Sequence, residues 1–273
     1  DFGALLRYAW NHSIDAHYHP RALIHLAPFL WSYWRHSGAK SHAEIARRYA
    51  TLIEHCVAEH DALAEAAGAT HLIRRTGWMK IFRTERERDS RFAEAEGWKR
   101  DFGVNYETFD GNGLASVEPW LAPILTGGLR WTDPTSTPDP HGLAQAYLKH
   151  FTHLGGVTAL GDARTLAASG KEWSVRSWEG ESYTGREVVV ALGPWADVVT
   201  TSLGYRLPLA VKRGYHMHYA PRGEARLNHV VLDVEGGFLL APMAKGVRLT
   251  TGAEFALRDA AMTPVQFGRA EPV

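Results

Sequence analysis

The sequence predicts a mixed α/β fold, with a βαβ-type unit in the middle of the chain, helices before it and antiparallel strands after it. Three observations carry this. Residues 1–72 show helical periodicity. A helix entered through Asp139-Pro140 leads to the uniformly apolar run REVVVA at 186–191. After Pro208 short stretches alternate apolar and polar residues between turn signals.

In the helical first part, S-H-A-E at 41–44 reads as a capping box, in which Ser41 accepts from the amide of Glu44 and Glu44 reaches back. Ile45, Tyr49, Leu52, Ile53, Cys56 and Leu63 follow at helical spacing, which places Cys56 on a buried face as inert packing. Gly68 is the expected stop. The aromatic stretch HLAPFLWSYW at 25–34 is too short to span a bilayer and reads as a core or interface helix.

From Leu72 the pattern changes. WMKIF and Arg83 at 78–83 alternate as a strand, and TERERDSRFAEAEGWKR reads as a solvated helix. SVEPWLAPILT at 116–126 is a turn-rich connection, and GGLRWT a short strand that the prolines of DPTSTPDP cannot continue. Asp139 is a helix N-cap with Pro140 at the first helical position, where a missing N–H costs nothing. Leu143, Tyr147, Phe151 and Leu154 form one face, and Gly155-Gly156 ends the helix. VTAL is expected as the next strand, 173–178 as an alternating strand, and 186–191 as a strand buried on both faces. Beyond Pro208 the turns fall at Gly236-Gly237 and Lys245-Gly246.

The bulk properties exclude several classes of function. Thirty basic residues balance thirty acidic ones, so there is no broad electrostatic footprint for nucleic acid. One cysteine excludes an intramolecular disulfide and a cysteine-rich metal site. The serines lack a G-x-S-x-G elbow, and there is no Walker-type loop. His12, His17 and His19 lie in HSIDAHYH, but no acidic residue nearby completes a metal pattern. They are expected as loop or packing histidines, and no metal site is assigned. The chain starts at Asp1 and stops at EPV, and both ends read as cuts within a longer protein.

REVVVALGPWAD at 186–197 is the best candidate for chemistry. Ligands in open α/β sheets bind beyond the carboxyl ends of the strands, Gly193 permits close backbone approach, and a helix starting near Trp195 would aim amides at a phosphate. Alone, this motif is also an ordinary strand-to-helix turn. In order along the chain, Asp139-Pro140, Gly155-Gly156, the 173–178 strand, and Ala191, Gly193 and Trp195 together resemble the FAD-dependent amino-acid oxidoreductases of the D-amino-acid oxidase type. LGYRLPLAVKRGYH and LLAPMAKGVRLTTGAEF resemble the return of that family into its substrate-domain sheet, most like its bacterial D-amino-acid dehydrogenase branch.

The resemblance implies part of a Rossmann-like FAD-binding domain interleaved with an antiparallel-sheet substrate domain. Residues 1–125 would hold the helical segment and first substrate-domain strands, 126–205 part of the FAD-binding domain, 206–258 the antiparallel strands, and 259–273 the start of the return. It implies FAD as cofactor, an amino acid as substrate, and a quinone or oxygen as electron acceptor. The expected location is the cytoplasm or the inner face of the plasma membrane. Ala163 and Arg164 would approach the adenine end of FAD, and Ala191, Leu192, Gly193 and Trp195 its ADP moiety. Tyr215 and His216 are the substrate-side candidates, with Arg213 for the carboxylate. The fingerprint Gly-x-Gly-x-x-Gly of the family occurs nowhere in the 273 residues, so this chain alone is expected to bind FAD poorly and to be inactive. Two other readings stay open: a sarcosine-, glycine- or proline-type amine oxidase of the same family, and a non-catalytic α/β binding module.

Overall fold

The structure is a computed structural model that describes residues 10, 11, 13 and 16–271. In chain order it runs β1 (Ala16–Tyr18), α1 (Pro20–His36), α2 (Ala39–Ala66), β2 (Trp78–Phe82), α3 (Glu85–Phe102), β3 (Tyr106–Asp110), α4 (Gly111–Val117), β4 (Gly127–Trp131) and α5 (Pro140–His153). There follow β5 (Ala167–Ser169), β6 (Glu172–Arg176), β7 (Ser182–Gly185), α6 (Ala196–Thr200), β8 (His216–Tyr219), β9 (Val230–Asp233), β10 (Phe238–Met243), β11 (Gly246–Thr250), β12 (Ala253–Phe255) and α7 (Val265–Ala270). Short 3₁₀ turns lie at Ala163–Thr165 and Gly193–Trp195.

A seven-stranded sheet in the order β3-β4-β2-β9-β10-β11-β8 is the centre of the molecule. Its neighbours are antiparallel except β2 and β9, which run parallel. Strand alternation sends successive side chains to opposite faces. Met79, Ile81 and Val231 go to one face and pack with Leu114 and Leu125. Phe82 and Leu129 go to the other and pack on Ala95 and Phe92 of α3.

The charged segment after β2 is therefore a helix with one apolar stripe. Thr84 caps it by accepting from Glu87 N, acidic residues occupy its first turn and basic ones its last, and Gly103 closes it in the left-handed region at φ 68°. Glu235, from the β9–β10 turn, accepts from Thr84 N at 2.9 Å and so ties this helix start to the sheet. In α5, Asp139 Oδ1 accepts from Gly142 N at 3.0 Å and Pro140 is the first residue. That helix is capped as its sequence requires. Gly155, at φ 92°, turns the chain out of it, and Gly237 and Gly246 take positive φ at the turns flanking β10.

Four expectations are corrected. Helix α2 starts at Ala39 behind an N-cap Gly38, so Ser41 lies inside it and no side chain caps it. Cys56 is exposed, and Tyr49, Leu52 and Ile53 around it are also exposed. The face has helical period, but no described element covers it. Residues 157–160 form no strand, although Trp178 N reaches Leu160 O at 2.9 Å. Residues 186–191 form none either, and Val189 is 88% exposed. An apolar run becomes a buried strand only when neighbouring strands satisfy its backbone groups. Among the described residues none lies beside 186–191. The 173–178 segment does form a sheet, as the middle strand of the meander β5-β6-β7. His12 and residues 1–9 lie outside the described residues.

Candidate functional site

Three short stretches distant in sequence meet at Glu254. In β12 it lies beside β1, in the parallel register His17↔Glu254. On its other side it bridges Arg213, with paired backbone hydrogen bonds of 2.9 and 2.7 Å. The Glu254 side chain is fully buried. Its Oε2 accepts from Arg213 Nε at 2.9 Å, Arg213 Nη2 at 2.5 Å and the Tyr215 hydroxyl at 2.5 Å. Its Oε1 faces His19 Nε2 at 3.1 Å and accepts from the Thr263 hydroxyl. Burial pushes this carboxyl upward, but the bonds from Thr263, Tyr215, Arg213 and His19 outweigh that effect and hold its pKa at about 2.

Two of the three substrate-side candidates therefore come together, and the third does not join them. The Arg213 guanidinium is committed to Glu254, Tyr215 and the Ala260 and Ala261 carbonyls. Tyr215 shares that carboxylate. His216 is exposed and stands edge-on to His218, with ring centroids 5.8 Å apart. Glu254 had no role assignable from sequence, because its partners lie 41 and 235 residues away along the chain.

The cofactor-side candidates occupy one neighbourhood, since the turn Ala163–Thr165 packs against α6. Arg164 is exposed and folds back on Asp162, with Nη2 to Oδ2 at 2.7 Å. Leu192 precedes the 3₁₀ turn Gly193–Trp195, where Gly193 has φ 54° and a Cβ placed on it would meet no atom within 4 Å. The helix expected to aim amides at a phosphate is only the five-residue α6, preceded by that turn, so its dipole is small. Trp195 is 56% exposed. Arg258, which sequence reasoning also missed, lies over the Trp195 ring at 6.0 Å and donates to Pro194 O at 2.6 Å. A groove of about 350 Å³ lined by Leu160, Gly161, Ala163, Ser177 and Tyr183 opens beside this region.

A second cleft, of about 490 Å³, lies on the central sheet between Lys80, Arg91, Leu239 and Thr250. Burial lowers the pKa of Lys80 there, against the nearby charge of Glu94. Among the described residues no helix is long and apolar enough to cross a membrane.

A family model described as "FAD dependent oxidoreductase" (DAO) matches residues 14–272. The chain belongs to this family. It is 28% identical over 202 residues to a D-amino-acid oxidase of Bradyrhizobium diazoefficiens, covering 73% of this chain and 46% of that protein. Over 249 residues it is 27% identical to a D-amino acid dehydrogenase of Cereibacter sphaeroides, covering 87% of this chain and 55% of that protein. The chain thus spans about half the length of the curated relatives it matches. Among solved structures, its fold resembles glycine oxidase from Geobacillus kaustophilus, with a TM-score of 0.59 at 23% identity over 73% of this chain and 53% of that one. It also resembles L-proline dehydrogenase from P. horikoshii, with a TM-score of 0.61 at 15% identity over 78% and 59% of the two chains.

Members of the DAO family are FAD-dependent, and the residues here fit one wall of such a site. The open, left-handed Gly193 leaves room beside the 186–197 segment, and Ala163 lines a separate groove. The glycine-rich phosphate loop has no counterpart in the sequence, so these residues do not supply the pyrophosphate cradle.

Proposed function

We propose that this chain contributes the substrate-side sheet and one wall of the cofactor site to an enzyme that oxidises the C–N bond of an amino acid, with D-amino acids as the substrate class. Support comes chiefly from the family match over residues 14–272, together with relatives named D-amino acid dehydrogenase and D-amino-acid oxidase. When bound, FAD would supply the acceptor for a hydride leaving the substrate Cα, and the imino acid so formed would be hydrolysed by water.

The residues of this chain orient and enclose. Ala163 and Arg164 line the adenine end, and Ala191, Leu192, Gly193 and Trp195 the ADP half, with Gly193 leaving the space a Cβ would take. The exposed His216 is the candidate able to reach a ligand directly. Arg213 and Tyr215 act as positioning residues, because Glu254 already neutralises the guanidinium and ties the start of β8 to β12. Residues 206–258 belong on this reading to the substrate domain; of the 126–205 stretch expected in the FAD-binding domain, β4 joins the substrate-side sheet, which leaves residues 132–205 for the FAD-binding part. A quinone or oxygen takes the electrons, in the cytoplasm or at the inner membrane face.

The test is a substrate panel on the full-length protein: D-alanine, glycine, sarcosine and L-proline, with kcat/KM for each. D-alanine is expected to be the best of the four, and His216→Ala to lower its kcat/KM at least tenfold, mainly through KM. A preference for glycine, sarcosine or L-proline moves the enzyme to the amine-oxidase type. An unchanged kcat/KM removes His216 from the site.

A further inference from the structure

The geometry points to a transition-metal site formed by His17, His19 and Glu254, selective for an imidazole-preferring divalent ion such as zinc. His17 and His19 stand two apart on β1 and its end, so strand alternation turns both toward the same side. Glu254 faces them from the paired strand. One ligand atom from each of the three residues lies within 4.8 Å of the others. A tetrahedral zinc with nitrogen and oxygen ligands at about 2.0–2.2 Å needs only a small closure of that triangle, and it retains an open fourth position.

Two further observations favour an ion over simple packing. The Nδ1 of His17 is buried and has no hydrogen-bond partner, an unsatisfied state that a metal bond would relieve. The carboxylate is already oriented: Arg213 and Tyr215 both donate to Oε2, while Oε1 faces His19 and accepts from the Thr263 hydroxyl. Carboxylate ligands held in this way from behind are the usual arrangement in metal sites. The same guanidinium also sets the selectivity. With Arg213 neutralising Glu254, the site has little net negative charge to attract calcium or magnesium, which prefer clusters of oxygen ligands. Two imidazoles favour zinc, nickel or copper.

The experiment is zinc binding to the full-length protein, stripped with chelator and followed by isothermal titration calorimetry and by metal content after dialysis. The expected result is one zinc retained per chain, with affinity lowered at least tenfold in His17→Ala and in His19→Ala, and unchanged in His55→Ala, an exposed helix histidine. His17→Ala is the decisive variant, because its Nδ1 makes no hydrogen bond whose loss would disturb the fold. A calcium or magnesium titration is expected to give no heat. Failure of the wild-type protein to retain zinc overturns the proposal, as does a His17→Ala affinity equal to that of the wild type.

Discussion

Glu254→Gln removes one negative charge from a fully buried position and leaves the Arg213 guanidinium without its counter-ion. The magnitude follows from the carboxyl pKa, which falls from 4.5 to about 2 in the folded chain. At about 1.4 kcal/mol per pKa unit, ionised Glu254 contributes about 3 kcal/mol at neutral pH. Breaking a buried pair by removing one partner generally costs about 3–5 kcal/mol, because the other charge is left uncompensated. The sign is set by the depressed folded pKa. The contribution is fully present above the unfolded value of 4.5 and disappears as pH falls through about 2. At pH 3 it should have dropped to about 1 kcal/mol. Urea unfolding of wild type and Glu254→Gln, in chelator to keep the protein metal-free, should show a gap of about 3–5 kcal/mol at pH 7 that narrows by about 2 at pH 3. A gap below about 1 kcal/mol at pH 7, or one of equal size at both pH values, would refute the reasoning.

Other substitutions test other parts of the fold. Glu118, fully buried at the end of α4, accepts from Asn228 N, His229 N and His229 Nδ1. Glu118→Leu strands those donors and should cost about 3 kcal/mol or more in urea unfolding. Met79 has no exposure in the sheet core, and Met79→Ala should cost about 2–5 kcal/mol in the same assay. At Gly193, with φ 54° and open space where a Cβ would stand, Gly193→Ala should cost only about 1 kcal/mol of stability through backbone strain. In the full-length protein the same change should weaken FAD binding at least tenfold, read by flavin release on dialysis; unaltered retention would take Gly193 out of the cofactor wall.

What the sequence disclosed depended on whether the determining physics was local. Asp139-Pro140 and the alternation of 78–83 specify their elements within a few residues, and both form as read. The turn glycines at 237 and 246 act through their own φ and were equally legible. The run at 186–191 was legible as apolar but not as a strand, because pairing is a property of neighbours. Amphipathic period placed Cys56 on one face of α2 but could not say whether anything covers that face. In the 186–197 segment, the turn at Gly193 was legible from its motif. Glu254 was not, because His17, His19, Arg213 and Thr263 reach it only through folding of the whole chain. That is also why HSIDAHYH, read in isolation, completed no metal pattern.

The most direct test of the proposed chemistry is anaerobic titration of the purified full-length protein with D-alanine, followed by visible absorption. The expected result is a stoichiometric flavin spectrum that D-alanine bleaches. A protein that carries no flavin, or flavin that no amino acid or amine can reduce, would contradict it.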